Sequence, residues 1–155
     1  KDQLMALFED IFAVGLALIF TGLILLGSFF IKPKHKEFSI LKAFIIGLSQ
    51  SIAIVPGVSR SGMTISCALL LGLKSKDAAK FSFLLAIPAI AGAGIFTTMD
   101  INNQILIGMD VAFIGFATSF IMGVLSLKWL LKTLEKGKLH YFGLYCFSLG
   151  LITVL

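Results

Sequence analysis

The chain has 155 residues, 58 % of them hydrophobic and 14 % charged, whereas a soluble domain is roughly 45–50 % apolar with about a quarter of its residues charged. With a mean hydropathy of +1.03, a single soluble core would leave too few polar residues to cover it, which excludes an ordinary soluble domain and calls for lipid as the covering. The net charge of +5 comes from lysines set between apolar runs, the expected place for charges on the cytoplasmic side of membrane helices, and no basic helix face or aromatic-basic platform points to nucleic acid.

In chain order, Asp2, Glu9 and Asp10 precede the first apolar run, where a secretory signal would carry positive charge. Lys1 in place of methionine fits a segment of a longer protein. A spanning helix needs about 20 predominantly apolar residues. Residues 11–31 meet that length, as do 79–99 with Pro88 at their middle. Residues 105–131 exceed it, and 141–155 form a shorter fourth span. The fold class expected is all-α, a polytopic transmembrane helical bundle.

Residues 40–73 behave differently. Pro56-Gly57 and the polar run Ser59-Arg60-Ser61-Gly62 divide them into two pieces, each too short for a span at about 1.5 Å of rise per residue. Lys32, Lys34, Lys36 and Lys42 lie on one side of this segment and Lys74, Lys76 and Lys80 on the other, so by the positive-inside bias both flanks are cytoplasmic. A re-entrant helix-break-helix hairpin satisfies both observations. Broken backbone at that depth must be buried in protein or line a wet cavity, which places its tip at a polar site. The loop from Asp100 to Asp110 has no lysine and reads as outside; Lys128, Lys132, Lys136 and Lys138 return the chain inside. Both termini are then outside. Gly92 and Gly94, beside Ala91, Ala93 and Pro88, suggest a close helix approach. Cys67 and Cys146 lie within apolar segments far apart in sequence and read as lipid-facing or core thiols rather than a disulfide or metal site.

Arg60 is the sole arginine, and an arginine within an apolar segment is by default a functional residue with a partner. Snorkelling to the interface fits poorly, because apolar residues flank the turn on both sides. Pairing with an acid fits poorly too, since Glu9, Asp10, Glu37, Asp77, Asp100, Asp110 and Glu135 occupy loops or helix ends. An anion answers the pattern better: the arginine fork pairs bidentately with phosphate oxygens. Ser59, Ser61 and Thr64 add hydroxyls, and Gly57 and Gly62 let backbone amides approach. A second half-helix starting near Ser61 would aim its free amides and positive dipole end at the same point. The pattern specifies an anion, not which one.

The string Pro-Gly-Val-Ser-Arg-Ser-Gly-Met-Thr at 56–64 resembles the second motif of the undecaprenyl-diphosphate phosphatase family, bacterial membrane enzymes associated with bacitracin resistance. Ile46-Gly47-Leu48-Ser49-Gln50 before it and residues 78–89 after it agree. The chain is similar to the C-terminal half of that family over essentially its whole length. The resemblance implies half of an inverted-repeat fold in the bacterial inner membrane, and hydrolysis of a C55 polyprenyl diphosphate to the monophosphate carrier of cell-wall synthesis. It also implies a divalent cation, magnesium or calcium. Carried over by position, Arg60, Ser59 and Ser61 form the catalytic set, while Gln50, Pro56, Gly57, Gly62 and Thr64 bind substrate.

The family's first motif, glutamate-rich and leading to a Gly-His, has no counterpart in this sequence; His35 and His140 occupy loop positions. Phosphoryl transfer also needs a nucleophile, a base and usually a carboxylate-held metal, so the expectation is a charge clamp that turns over little by itself. The missing motif would come from an N-terminal segment or a separate chain. A homodimer is the further expectation, because the first span has little else to pack against. The alternative function is a lipid-phosphate transporter or flippase-like protein, since a midplane anion site also suits alternating access.

Overall fold

The computed structural model describes residues 10–31, 37–100 and 108–155. The acids Asp2 and Glu9, the lysines at 32, 34 and 36, His35 and the loop at 101–107 lie outside the described residues. Among the described residues there are six α-helices and no strand: α1 (Ile11–Gly27), continued by a 3-10 turn at Ser28–Phe30, α2 (Ile40–Ile52), α3 (Arg60–Leu70), α4 (Ser75–Asp100), α5 (Met109–Glu135) and α6 (His140–Val154).

Local chemistry sets the ends of these helices. The Asp10 carboxylate accepts from the N–H groups of Phe12 and Ala13 at 3.0 and 3.3 Å and starts α1, and Ser39 caps α2 through the Lys42 N–H at 3.4 Å. At the end of α3, Gly72 takes φ +85°. The N–H of Leu73 then returns to Ala68 at 3.1 Å and that of Gly72 to Leu69 at 2.9 Å. Only glycine adopts that left-handed turn without strain, and the reversal buries Leu73 as the hydrophobic half of the motif. Helix α5 ends in the same way at Gly137. Helix α4 continues through Pro88, whose missing N–H leaves the Leu84 carbonyl without its partner one turn back.

The core is formed where the elements converge. Leu25 of α1, Ile46 of α2, Ile65, Ala68 and Leu69 of α3, Ala78 and Ala79 of α4 and Leu134 of α5 form one buried cluster with Leu73 and Leu139. Two contacts gather the lysine-bearing segments at this end: the Phe38 and Phe81 rings are 4.7 Å apart, and Lys76 Nζ lies 3.6 Å from Glu135. Helices α2 and α3 therefore begin and end near the same lysines, with their break at the far end.

Helices α1 and α6 run antiparallel at glycine-lined contact. A Cβ built on Gly22 would lie 2.7 Å from the Phe147 nitrogen, one on Gly143 2.8 Å from the Leu26 nitrogen, and one on Gly150 2.8 Å from the Gly15 oxygen. Dispersion between two close backbones is the available driving force where lipid tails compete with every apolar side chain. Two expectations are corrected here. The first span does have a partner, α6, so the packing argument for a homodimer falls. Gly92 and Gly94 have nothing within 4 Å of an added Cβ among the described residues, so the close approach is made elsewhere.

Two helical stretches, Ser75–Met99 and Asp110–Glu135, are long and apolar enough to cross a membrane; only 6 % of the first window and none of the second is buried. The core helix of a soluble protein would be mostly buried, whereas these turn Ile87, Ile90, Phe113, Phe116 and Phe120 outward, as a membrane helical bundle does.

Candidate functional site

The break between α2 and α3 is a built turn. Its β-turn spans Val55 to Val58, closed by the Val58 N–H on the Val55 carbonyl at 3.1 Å. Pro56 occupies the second position and Gly57, at φ +90°, the third, the type II arrangement that these two residues favour. Gly57 is constrained by its neighbours as well: an added Cβ would lie 2.6 Å from the Val14 carbonyl oxygen and 2.9 Å from the Ala17 Cβ. The tip therefore rests directly on α1. Thr21 of α1, 1 % exposed, fastens it, donating to the Gly57 carbonyl at 3.3 Å and accepting from the Ser59 N–H at 3.1 Å.

Beyond the turn α3 begins. Ser59 is its N-cap, accepting from the Gly62 N–H at 3.1 Å, and the Met63 N–H reaches the Ser59 carbonyl at 2.9 Å. Of the first four amides of α3, those of Arg60 and Ser61 have no acceptor among the described residues. They point out of the N-terminus with the positive end of the helix dipole. Gly62 leaves room for the cap, since a Cβ there would sit 3.0 Å from the Ser59 hydroxyl.

Arg60 is the first residue of α3, exposed from the protein, and its guanidinium has no hydrogen bond or ion pair among the described residues. It stands between two hollows. One, about 400 Å³, is lined by Arg60 and Ser61 with Val58, Ser82 and Ala86; the other, about 300 Å³, by Arg60 with Gly47, Gln50, Ser51 and Ala89. The Gln50 amide oxygen is buried and has no hydrogen-bond partner among the described residues. Buried amide oxygens are normally paired, so this one stands ready for a donor.

The structure thus gathers Arg60, Ser61, Gln50 and the two open amides about one place, whereas Pro56, Gly57 and Gly62 shape the backbone behind it. Ser59 acts as the helix cap. Thr64, 0 % exposed, is not among the residues lining the hollows: its hydroxyl bonds the Arg60 carbonyl at 3.0 Å and pairs with Ser82, bracing the first turn of α3 against α4. Thr21 and Ser82 escaped the sequence reading. The sequence signal is partial: a lone hydroxyl inside an apolar helical run needs a partner in a membrane, without indicating which one.

The donor set does not suit a divalent cation. Around Arg60 there are a guanidinium, hydroxyls and an amide, and no group of three or more His, Cys, Asp or Glu comes together among the described residues, whereas magnesium and calcium are held by carboxylate oxygens. His140, which opens α6, lines neither hollow. The arrangement can bind an anion; among the described residues it presents no base for a serine nucleophile.

The family model described as "Bacitracin resistance protein BacA" matches residues 1–152. A Bacteroides fragilis protein named undecaprenyl-diphosphatase is 40 % identical over 160 residues, covering 99 % of this chain and 60 % of its own length. One of the same name from Methanothermobacter thermautotrophicus is 40 % identical over 159 residues, covering 98 % of this chain and 87 % of its own. The undecaprenyl-diphosphatase 1 of Bacillus cereus is 37 % identical over 161 residues, covering 100 % of this chain and 59 % of its own. The chain thus spans about three fifths of the Bacteroides and Bacillus proteins. With the match running through the hairpin and its arginine, the chain belongs to the bacitracin resistance protein BacA family.

Proposed function

We propose that this chain is the diphosphate-binding part of a polyprenyl-diphosphate phosphatase, acting on the C55 lipid in the bacterial inner membrane. The observation that carries the reading is Arg60 at the N-terminus of α3, unpaired within the described residues and flanked by two hollows, in a family whose relatives bear the name undecaprenyl-diphosphatase. The guanidinium binds two phosphate oxygens in plane. The open amides of Arg60 and Ser61 supply further donors along the helix dipole, and the Ser61 hydroxyl and the Gln50 side-chain N–H orient the group.

In this reading α2 and α3 form a re-entrant hairpin. At 13 and 11 residues they rise about 20 and 16 Å, short of a hydrocarbon core about 30 Å thick. Their shared lysine-bearing end supports entry and exit on the cytoplasmic side. The inverted repeat would be completed, and the nucleophile, base and any divalent cation supplied, by residues outside those described, from a preceding segment or another chain. The protein would be multi-pass, with α1, α4, α5 and α6 crossing.

Phosphate release from a C55 polyprenyl diphosphate by the detergent-purified chain, with magnesium or calcium, tests the reading against Arg60→Ala. Release by the wild type that is abolished in the variant supports a phosphatase working through Arg60, and measurable release equal in both removes Arg60 from the mechanism; no release from either places the nucleophile in the completing segment, and the comparison then passes to binding of the same lipid.

A further inference from the structure

The Arg60 hollow is open along α4. Three of its lining residues, Phe83, Ala86 and Ile90, also line a second and larger cavity of about 630 Å³ between α4 and α5. Leu127 and Leu131 face them from α5, and the cavity ends at Lys76, Lys80 and Glu135. Its walls are apolar throughout the middle. From Lys76 to Ile90 it follows α4 for about 21 Å of helix. One lining thus connects a cationic anion-binding end to a long apolar slot.

Resting on the phosphatase reading, we infer that this α4–α5 groove holds the first isoprene units of the lipid whose diphosphate lies at Arg60. The two parts of such a ligand differ in chemistry at one covalent junction, and the walls change in the same sense at Phe83 and Ala86. Ile87 and Ile90 are each 61 % exposed from the protein, so this surface is available to a lipid chain. The chain would descend from Arg60 toward the lysine-bearing end, with the phosphates at the far side of the hairpin. An ordinary membrane lipid seated with its headgroup at Lys76 and Lys80 would lie the other way round.

The test is equilibrium binding to the full chain in detergent of two probes, C55 polyprenyl diphosphate and dimethylallyl diphosphate, which share the head and differ in the tail. Ile87→Trp and Leu131→Phe fill the groove from its two walls. Either should lower the ratio of long-chain to short-chain affinity about tenfold or more, the effect of denying contact to only a couple of methylenes, while Arg60→Ala weakens both probes. A ratio unchanged in both groove variants, with Arg60→Ala still weakening both probes, overturns the groove and leaves the head site standing, with an ordinary lipid as the groove's occupant. Indifference of both probes to Arg60→Ala overturns the head site itself.

Discussion

The guanidinium of Arg60 is a permanent charge at the tip of a turn whose every supporting group is already engaged: Ser59 caps, Thr64 braces, Thr21 fastens. That division of labour separates two kinds of substitution. Thr21→Val keeps the shape and removes both hydrogen bonds to the tip. At about 0.6–1.5 kcal/mol for each bond it should lower the midpoint of thermal unfolding in detergent, and weaken diphosphate-lipid binding only as far as the tip loosens. Gly57→Ala forces a left-handed backbone and a clash with the Val14 carbonyl. A loss of about 1–3 kcal/mol is expected for a strained residue of this kind, read by the same unfolding measurement; an unchanged midpoint would mean that the tip does not rest on α1. Arg60 and the break at Pro56-Gly57 were legible in the sequence because their chemistry is local, one charge and one residue that fixes φ; the left-handed backbone of Gly57 and its seat on α1 came only with the structure. Thr21 and Ser82 were not, because nothing in the adjacent residues tells which lone hydroxyl meets the turn and which merely bonds its own helix.

Among the helices, α1 and α6 form the tightest pair, and their contact is glycine on backbone. Gly22→Leu should split this pair. Overpacking typically costs about 1–3 kcal/mol, and with the Phe147 backbone less than 3 Å from the new Cβ the expected result is a lowered unfolding midpoint or poor recovery of folded protein. Gly92→Ala, in open space, should be neutral or stabilise by up to about 1 kcal/mol through helix propensity. The contrast between the two variants, taken on one thermal-unfolding assay, checks which glycines are structural. Sequence spacing alone favoured Gly92 and Gly94, since small residues cluster there. The pairing of the first helix with the last is a long-range event that no local pattern records. Helix existence was easier to read, from the lengths of the apolar runs alone; the caps at Asp10, Ser39 and Ser59 and the reversals at Gly72 and Gly137, which set the ends, came with the structure.

For the whole molecule, the lysine-bearing segments at 37–42, 74–81 and 128–138 meet at one end, and the broken hairpin carries Arg60 away from it. In a background with Cys67 and Cys146 replaced by serine, cysteines placed at Lys42, Lys76 and Lys136 should react with a membrane-impermeant thiol reagent from the same face of the membrane. Reaction of the Lys42 and Lys76 positions from opposite faces would make 40–73 a crossing and end the re-entrant reading. The exposed Lys76–Glu135 pair marks this meeting but adds little to its stability: Glu135→Gln should change it by less than about 1 kcal/mol, as surface ion pairs do. What holds this end together is the buried cluster around Ile65, Ala68 and Leu134.

The most direct measurement is the affinity of the purified chain for C55 polyprenyl diphosphate, wild type against Arg60→Ala and Arg60→Lys. A charge-assisted hydrogen bond is worth about 1.5–3 kcal/mol, so the alanine variant should bind at least about tenfold more weakly, with lysine, a point charge without the planar fork, falling between. Equal affinity in all three proteins would contradict the assignment of the hairpin tip as the diphosphate clamp.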